Sequence, residues 1–549
     1  MRRLLLALLV LAVLPAAAPA APPPANAVYT EEYFTTPDGT RLHADVFRPK
    51  GVEGPTPVLM TVSPYLAHSG ATSLEPNNPG GPSNRFYDFL EQAKVLERGY
   101  TWVQVDLRGY GGSGGCGDWG GPGEQMDVKA AVEHYAAKPW STGKVGLYGK
   151  SYDGWTGLMG LVQRPKGLAA VVSQEPVYDG YRYLYMNRVP FANRLGTPVG
   201  FRQYDLKPGH RSDTPEYQLN GLAGTATNPA CYAENIVLAQ DASPFSGYWR
   251  ARDLVRGLKG NRVPTLLTQG FLETNTKPDA AFTAWRNLAA DAPGSQAIFG
   301  QFDHVRVNDR DGDDRPAMGR EGLTEQVARF FDEHVAGDKG ATKGDPVVSV
   351  QSAAGEYREE RAWPPADAER FTTELVPGTY TDTGANRVTQ SSVRGLWTTS
   401  APLEREVHLA GVPELELQVK TSATDANAVG VVYDVAPDGT ATLVSRGGYL
   451  LPGTGRWEWE LYGQDWRFAP GHRIAVLVSW ADTGWFSHQA SGATVEVLRG
   501  SISLPLLTKR RTATLDSLGT TSRLEQHLAG AFPLPPAAFA RESAFALPR

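Results

Sequence analysis

From Val28 to about Gly340, continuous apolar runs alternate with stretches of helical periodicity. Residues 41–49, 56–65 and 101–109 read as strands, as do 144–149, 168–176, 263–270 and 295–300. Residues 86–100 and 124–138 space their apolar positions as helices do. Apolar strands alternating with helices predict a mostly parallel sheet covered on both faces. Between about 181 and 256 this rhythm gives way to an aromatic, irregular stretch, as expected of an inserted cap. After about Asp345 the chain becomes a series of short β-rich runs broken by Gly, Pro, Asn and Asp, starting with residues 346–352 and 405–422. That pattern predicts an all-β sandwich or jelly roll over 346–549, with a short helix at 522–532. The expected division is therefore a leader over 1–27, an α/β unit over 28–345 and a β unit over 346–549.

The leader follows from three features. Arg2 and Arg3 give a positive start, Leu4 to Leu14 an apolar core, and Ala25-Asn26-Ala27 a small-residue cleavage site that would leave Val28 first. Cleavage after Ala20 or Ala21 fits as well. The apolar run is short for a membrane span, so a secreted protein without stable membrane association is expected. Apolar content of 41% and charged content of 20% suit a large soluble core. A net charge of −6 with no basic cluster argues against a nucleic-acid surface. Cys116 and Cys231 are the two cysteines; in an exported chain they are a candidate disulfide, with two buried thiols as the alternative. Two cysteines without a matching histidine cluster do not suggest a metal site.

The candidate chemistry begins at Gly149-Lys150-Ser151-Tyr152-Asp153-Gly154, where a predicted strand meets a predicted helix. A nucleophile elbow needs this context, with small residues on either side of the bend. The usual form is G-x-S-x-G, and here the second glycine comes one place late, so an ordinary tight turn also fits. A serine nucleophile needs a histidine and a carboxylate, supplied by loops after later strands. His304 follows the strand at 295–300, and Glu273 follows the strand at 263–270, with Asp279 and Asp303 as competing acids. The other histidines have duller settings: His134 and His334 in or near helices, His210 in the insert, His408, His472 and His488 in the β region, His527 in the tail. His43 and His68 precede the elbow. The oxyanion of a tetrahedral intermediate needs donors, and the backbone N–H of Tyr152 and the hydroxyl of Tyr65, in the loop after an early strand, are candidates.

These motifs resemble the X-prolyl dipeptidyl aminopeptidase and cocaine esterase family. The similarity rests on Gly-Lys-Ser-Tyr-Asp-Gly, "KPWSTGKVG" and "DLRGYGGSGG" ahead of it, Pro64-Tyr65, "GFLETNTKP", "FGQFDHVRVN", and "APLEREVHLAGVPELELQV" with "DVAPDGT" in the β half. It implies an α/β-hydrolase domain with a helical cap, followed by a jelly roll. It also implies a catalytic set of Ser151, Glu273 and His304, an oxyanion hole of Tyr65 and Tyr152, and no metal or organic cofactor. Glu273 stands where the family commonly has aspartate. The implied activity is Xaa-Pro dipeptidyl peptidase, with acyl esterase or α-amino-acid ester hydrolase as the alternative. A peptidase needs a carboxylate for the substrate ammonium, and Glu175 and Asp179 are the candidates; the aromatic cap suits an apolar substrate group. A more distant reading makes Trp457, Trp459 and Trp485 a carbohydrate-binding face. The acidic run at 308–316 does not match an EF-hand loop and reads as a surface loop.

Overall fold

The computed structural model describes residues 22–68, 81–205, 213–220 and 229–540. Most of the expected leader, and His210, lie outside the described residues. Ala27–Thr35 (β1) and Arg41–Pro49 (β2) form an antiparallel pair at one edge of a ten-stranded sheet. The sheet continues through Thr101–Asp106 (β4), Thr56–Ser63 (β3), Ser141–Lys150 (β5), Leu168–Gln174 (β6), Thr265–Gly270 (β9) and Gln296–Gly300 (β10). It ends with Val348–Gln351 (β11) and Tyr357–Glu360 (β12). From β4 to β11 all neighbours are parallel, and β9 and β10 are buried along their whole length. That explains why their sequences show no alternation. Tyr185–Met186 (β7) and Val189–Pro190 (β8) form a small hairpin in the cap.

Helices Pro122–Ala136 (α2) and Tyr152–Gln163 (α3) cover one face, through Val128, Val132, Trp155 and Leu158. Tyr87–Gln92 (α1) and the helix Leu323–Phe331 cover the other, through Phe89, Val327 and Phe331. The helix expected over 86–100 stops at Gln92. Lys94 takes a left-handed φ of 51° and turns the chain there, which the apolar spacing alone does not reveal.

Two expectations change. The boundary at 345 falls inside the ten-stranded sheet, because β11 pairs parallel with β10, Ala297 facing Val348, and β12 closes that edge. A four-residue apolar strand carries no mark of the sheet it will join. The second change concerns the aromatic face. Trp459 is buried in the core of the β unit with Trp457 packed against it, and Arg446 lies 3.8 Å over the Trp485 ring, whose edge meets Phe191 of the cap. These rings are packing surfaces.

The β unit is a two-sheet sandwich. One sheet runs Gly455–Glu460 (β20), Glu414–Thr421 (β17), Thr494–Leu507 (β23), Val407–Gly411 (β16), Gln464–Phe468 (β21), with Ala368–Glu374 and Gly378–Thr381 also pairing β23. The other is formed by Leu396–Thr399, Arg473–Ser479, Ala426–Val435, Thr440–Leu451 and Phe532–Pro533.

The sandwich is keyed to the catalytic sheet through buried charge. Arg358 on β12 grips Asp465 on β21 with two bonds of 2.8 and 2.6 Å, and His408 reaches the same carboxylate at 2.8 Å. Just below His304, the Gln301 amide donates to Gln464 at 2.9 Å. Cys116 and Cys231 are joined, their Cα atoms 6.5 Å apart, tying the loop after β4 to the cap helix Pro229–Leu238.

Burial alone would raise the Asp465 pKa, but Arg358 and His408 outweigh it and hold the carboxyl well below its usual range. A depressed folded pKa means that this stabilisation is in place above the ordinary value of 3.8 and drains away as pH falls below it. Removing the arginine strips this buried carboxylate of both guanidinium bonds and leaves it to His408 alone. Arg358→Met is expected to cost about 3–5 kcal/mol, whereas Arg370→Met, which breaks the half-exposed pair with Glu414, costs under about 1 kcal/mol. Urea midpoints of the two variants check this; equal losses would contradict it.

Candidate active site

Ser151 sits between the end of β5 and the first turn of α3 with φ 66° and ψ −124°, a region that side chains other than glycine rarely occupy. The flanking glycines show why the bend is possible. A Cβ on Gly149 would lie 2.3 Å from the Cβ of Asp153, and one on Gly154 would lie 2.7 Å from the Gln174 carbonyl oxygen. Residue 154, not 153, is the one that approaches β6, so the late glycine is a requirement of the packing. Asp153 has a different task, receiving Arg85 at 2.9 Å. The bend is held by the Ser151 N–H, which donates to the Gln174 carbonyl at 3.0 Å.

The same glutamine braces the histidine loop. Its side-chain oxygen accepts the Val307 N–H at 2.8 Å, and Lys150 donates to the His304 carbonyl at 3.1 Å. Elbow and histidine loop are thereby fixed to each other. His304 Nδ1 lies 2.6 Å from Glu273 Oε2. Glu273 is buried; burial favours its neutral form, but the His304 charge, its hydrogen bond and the Asn275 and Thr276 amides hold the carboxyl well below the usual range.

The competing acids do other work. Asp303 accepts the backbone N–H groups of His304 and Thr274, at 2.9 and 3.2 Å, and faces Arg523 of the tail. Its carboxylate shapes the loop and leaves the imidazole to Glu273. Asp279 lines a separate cavity toward the sandwich.

Ser151 and His304 open onto a cavity of about 660 Å³. Tyr65 lines it beside Tyr152. The Tyr152 ring is turned away from the nucleophile, its hydroxyl donating to buried Glu124 at 2.5 Å, so only its backbone N–H at the helix start is available to an oxyanion.

A family model described as X-Pro dipeptidyl-peptidase (S15 family) matches residues 38–306, and one for the X-Pro dipeptidyl-peptidase C-terminal non-catalytic domain matches 339–525. The chain belongs to the S15 peptidase and cocaine esterase family of serine hydrolases. Among its relatives, a putative Xaa-Pro dipeptidyl-peptidase of Streptomyces avermitilis is 23% identical over 452 residues, 72% of this chain and 62% of that protein's length. The chain thus spans less than two thirds of that relative. Cocaine esterase of Rhodococcus is 24% identical over 535 residues, 80% of this chain and 88% of the esterase. The fold matches that of an aminopeptidase from a marine sediment thaumarchaeote, with TM-score 0.69, 19% identity and coverage of 90% and 99%. It also matches an α-amino acid ester hydrolase, with TM-score 0.62, 19% identity and coverage of 91% and 100%.

Within this S15 scaffold the expected ammonium anchors are displaced. Glu175 is fully buried, with its carboxylate taken by the Gly270 N–H at 3.1 Å and Gln269 at 2.9 Å. Burial, then the charge of Glu273, push its pKa well above the usual range, so of these neighbouring carboxyls Glu273 carries the charge. Asp179 caps the short helix Gly180–Leu184 through the Tyr181 N–H at 2.8 Å and faces the second cavity. Both residues lie on the right loop, but β6 ends pointing them inward and sideways. The lining also includes residues that sequence reasoning missed: Arg85, Asp88, Trp119, Phe201 and Arg306. Arg306 lies two places after His304, a proximity that could have marked it; Arg85 and Trp119 lie in segments with no catalytic pattern.

Glu273→Gln is expected to lower kcat on the order of 10³-fold or more, as loss of a triad carboxylate does. Asp303→Asn should lose far less. Steady-state kinetics of the two variants decide between the acids, and a larger loss at Asp303 would reverse the assignment.

Proposed function

We propose that this S15-family chain is an exported acyl hydrolase that works through a covalent serine intermediate. The observation that carries this reading is the 2.6 Å contact between His304 Nδ1 and Glu273, placed beside the strained Ser151. Ser151 Oγ attacks the substrate carbonyl while His304 Nε2 takes its proton. Glu273 accepts the Nδ1–H, fixes the tautomer and stabilises the imidazolium that forms. The Tyr65 hydroxyl and the Tyr152 N–H receive the oxyanion. His304 then protonates the leaving group, and water attacks the acyl-enzyme by the same route in reverse. Export is supported by the disulfide, which suits an oxidising compartment, together with the expected leader.

The cavity lining favours esters as substrates. Trp119, Trp155, Val177, Tyr183 and Phe201 give it an apolar wall. Among the described residues lining it, Asp88 is the one carboxylate, and it is engaged by Arg306 at 2.6 Å and Asn308 at 2.9 Å. A substrate ammonium finds little counter-charge there, while an uncharged acyl or aryl group fits. The second reading, removal of Xaa-Pro dipeptides, is favoured by the matching family model and by the Streptomyces relative's name.

The mature chain should turn over p-nitrophenyl acetate well above alanyl-prolyl-p-nitroanilide, with both activities lost in Ser151→Ala. Faster release from the dipeptide anilide would establish the peptidase reading instead. Tyr65→Phe should lower kcat on the order of 10²-fold with little change in KM, since the hydroxyl acts in the transition state; an unchanged kcat would remove Tyr65 from the oxyanion hole.

A further inference from the structure

On the edge of the sheet beyond the active site, the fold gathers two histidines and several carboxylates that the sequence keeps apart. One donor atom from each of His43, Asp45 and His68 lies within 4.8 Å of the others. His68 Nε2 is 3.2 Å from Asp45 Oδ2, and His43 Nε2 is 3.8 Å from Asp45 Oδ1 and 3.9 Å from Glu31 Oε2. A tetrahedral zinc site with bonds of about 2.0–2.1 Å sets its ligands about 3.3 Å apart, so these three spacings would contract by up to about 0.6 Å to close on an ion.

The second observation is the state of His43. Its ring is buried, Nδ1 is committed to Asp106 Oδ2 at 2.8 Å, and Nε2 has no hydrogen-bond partner. A buried imidazole nitrogen aimed at two carboxylates beyond hydrogen-bond range is poorly satisfied without a cation between them. His68 is likewise backed by a carboxylate, with Nδ1 on Asp213 at 2.8 Å, while its Nε2 reaches Asp45 at 3.2 Å. A carboxylate behind each ligating imidazole is the usual outer support of a metal site. Tyr29 donates to Asp45 Oδ1 at 2.8 Å, and Tyr33 to Glu31 Oε1 at 3.1 Å, which leaves Glu31 Oε2 facing the centre.

We propose that Glu31, His43, Asp45 and His68 form a binding site for a single first-row divalent cation of the zinc type. Two imidazoles and two carboxylates suit that class of ion better than calcium or magnesium, which prefer all-oxygen shells. The role is structural. His68 lies three residues after Tyr65 on the same loop; the ring of Tyr217, from the cap, stacks on the His68 ring at 4.2 Å, and its hydroxyl accepts the His68 backbone N–H at 2.9 Å. An ion here pins both the oxyanion loop and the cap segment carrying Asp213 to β1 and β2.

The test is metal analysis of the full chain, purified on a tag without histidine, stripped with a chelator, then titrated with zinc and with cobalt(II). One ion per chain is expected, with an intense visible cobalt spectrum of tetrahedral type and a rise in Tm on zinc addition. His43→Gln should abolish stoichiometric binding, Asp106→Asn should weaken it about 10–100-fold, and His134→Gln should leave it intact. The wild-type titration stands even where a variant fails to fold. No stoichiometric uptake by the folded wild-type chain would overturn the proposal in favour of imidazolium–carboxylate pairing, as would binding that survives in His43→Gln.

Discussion

The active site depends on one backbone conformation, the left-handed turn at Ser151. Such a residue costs about 1–3 kcal/mol and persists only where its surroundings over-determine it. Here the surroundings are the close approach of α3 to the ends of β5 and β6, which admits no side chain at Gly149 or Gly154, and a hydrogen bond from Ser151 N–H to Gln174. Because the Gln174 side chain also holds the loop after His304, one residue on β6 locks Ser151 and His304 into a common frame. The rest of the molecule serves that frame. The sandwich reaches the histidine loop through Gln464 and Gln301, and the tail reaches it through Arg523 and Asp303.

Electrostatics then divides labour among neighbouring carboxyls. Glu273 and Glu175 are both buried and both accept backbone N–H groups, yet only Glu273 faces a histidine, so its carboxyl is held below the usual range while burial and the Glu273 charge push that of Glu175 above it. A glutamate in place of the family's usual aspartate is compatible with this, since its carboxylate reaches Nδ1 within 2.6 Å.

Much of this was legible in the sequence because the signals were local. Buried parallel strands appear as unbroken apolar runs, and a strand, a bend and a helix around Ser151 mark an elbow whatever the fold around it. His304 and Glu273 followed from their places on loops after later strands. What was not legible depended on directions and on long-range pairing. Residues 346–360 were expected in the sandwich, because a short apolar strand does not reveal which sheet it will join. Glu175 and Asp179 were on the expected loop, but which way each side chain points is set by the positive φ of 42° at Glu175 and by the helix that Asp179 caps. The cluster of His43, Asp45 and His68 arises from packing of the loop after β3 against β2, and the Asp213 carboxylate behind His68 lies 145 residues further on, a distance no spacing rule spans.

The proposed serine nucleophile is tested most directly by covalent labelling. The purified protein would be treated with a fluorophosphonate probe, digested and mapped by mass spectrometry, with labelling rates compared for the wild type and Glu273→Gln. A single adduct on Ser151 is expected, formed much more slowly in the variant because the imidazole is no longer held or balanced. Labelling at another residue, or an equal rate in the variant, would contradict the assignment of Ser151, His304 and Glu273 as one catalytic unit.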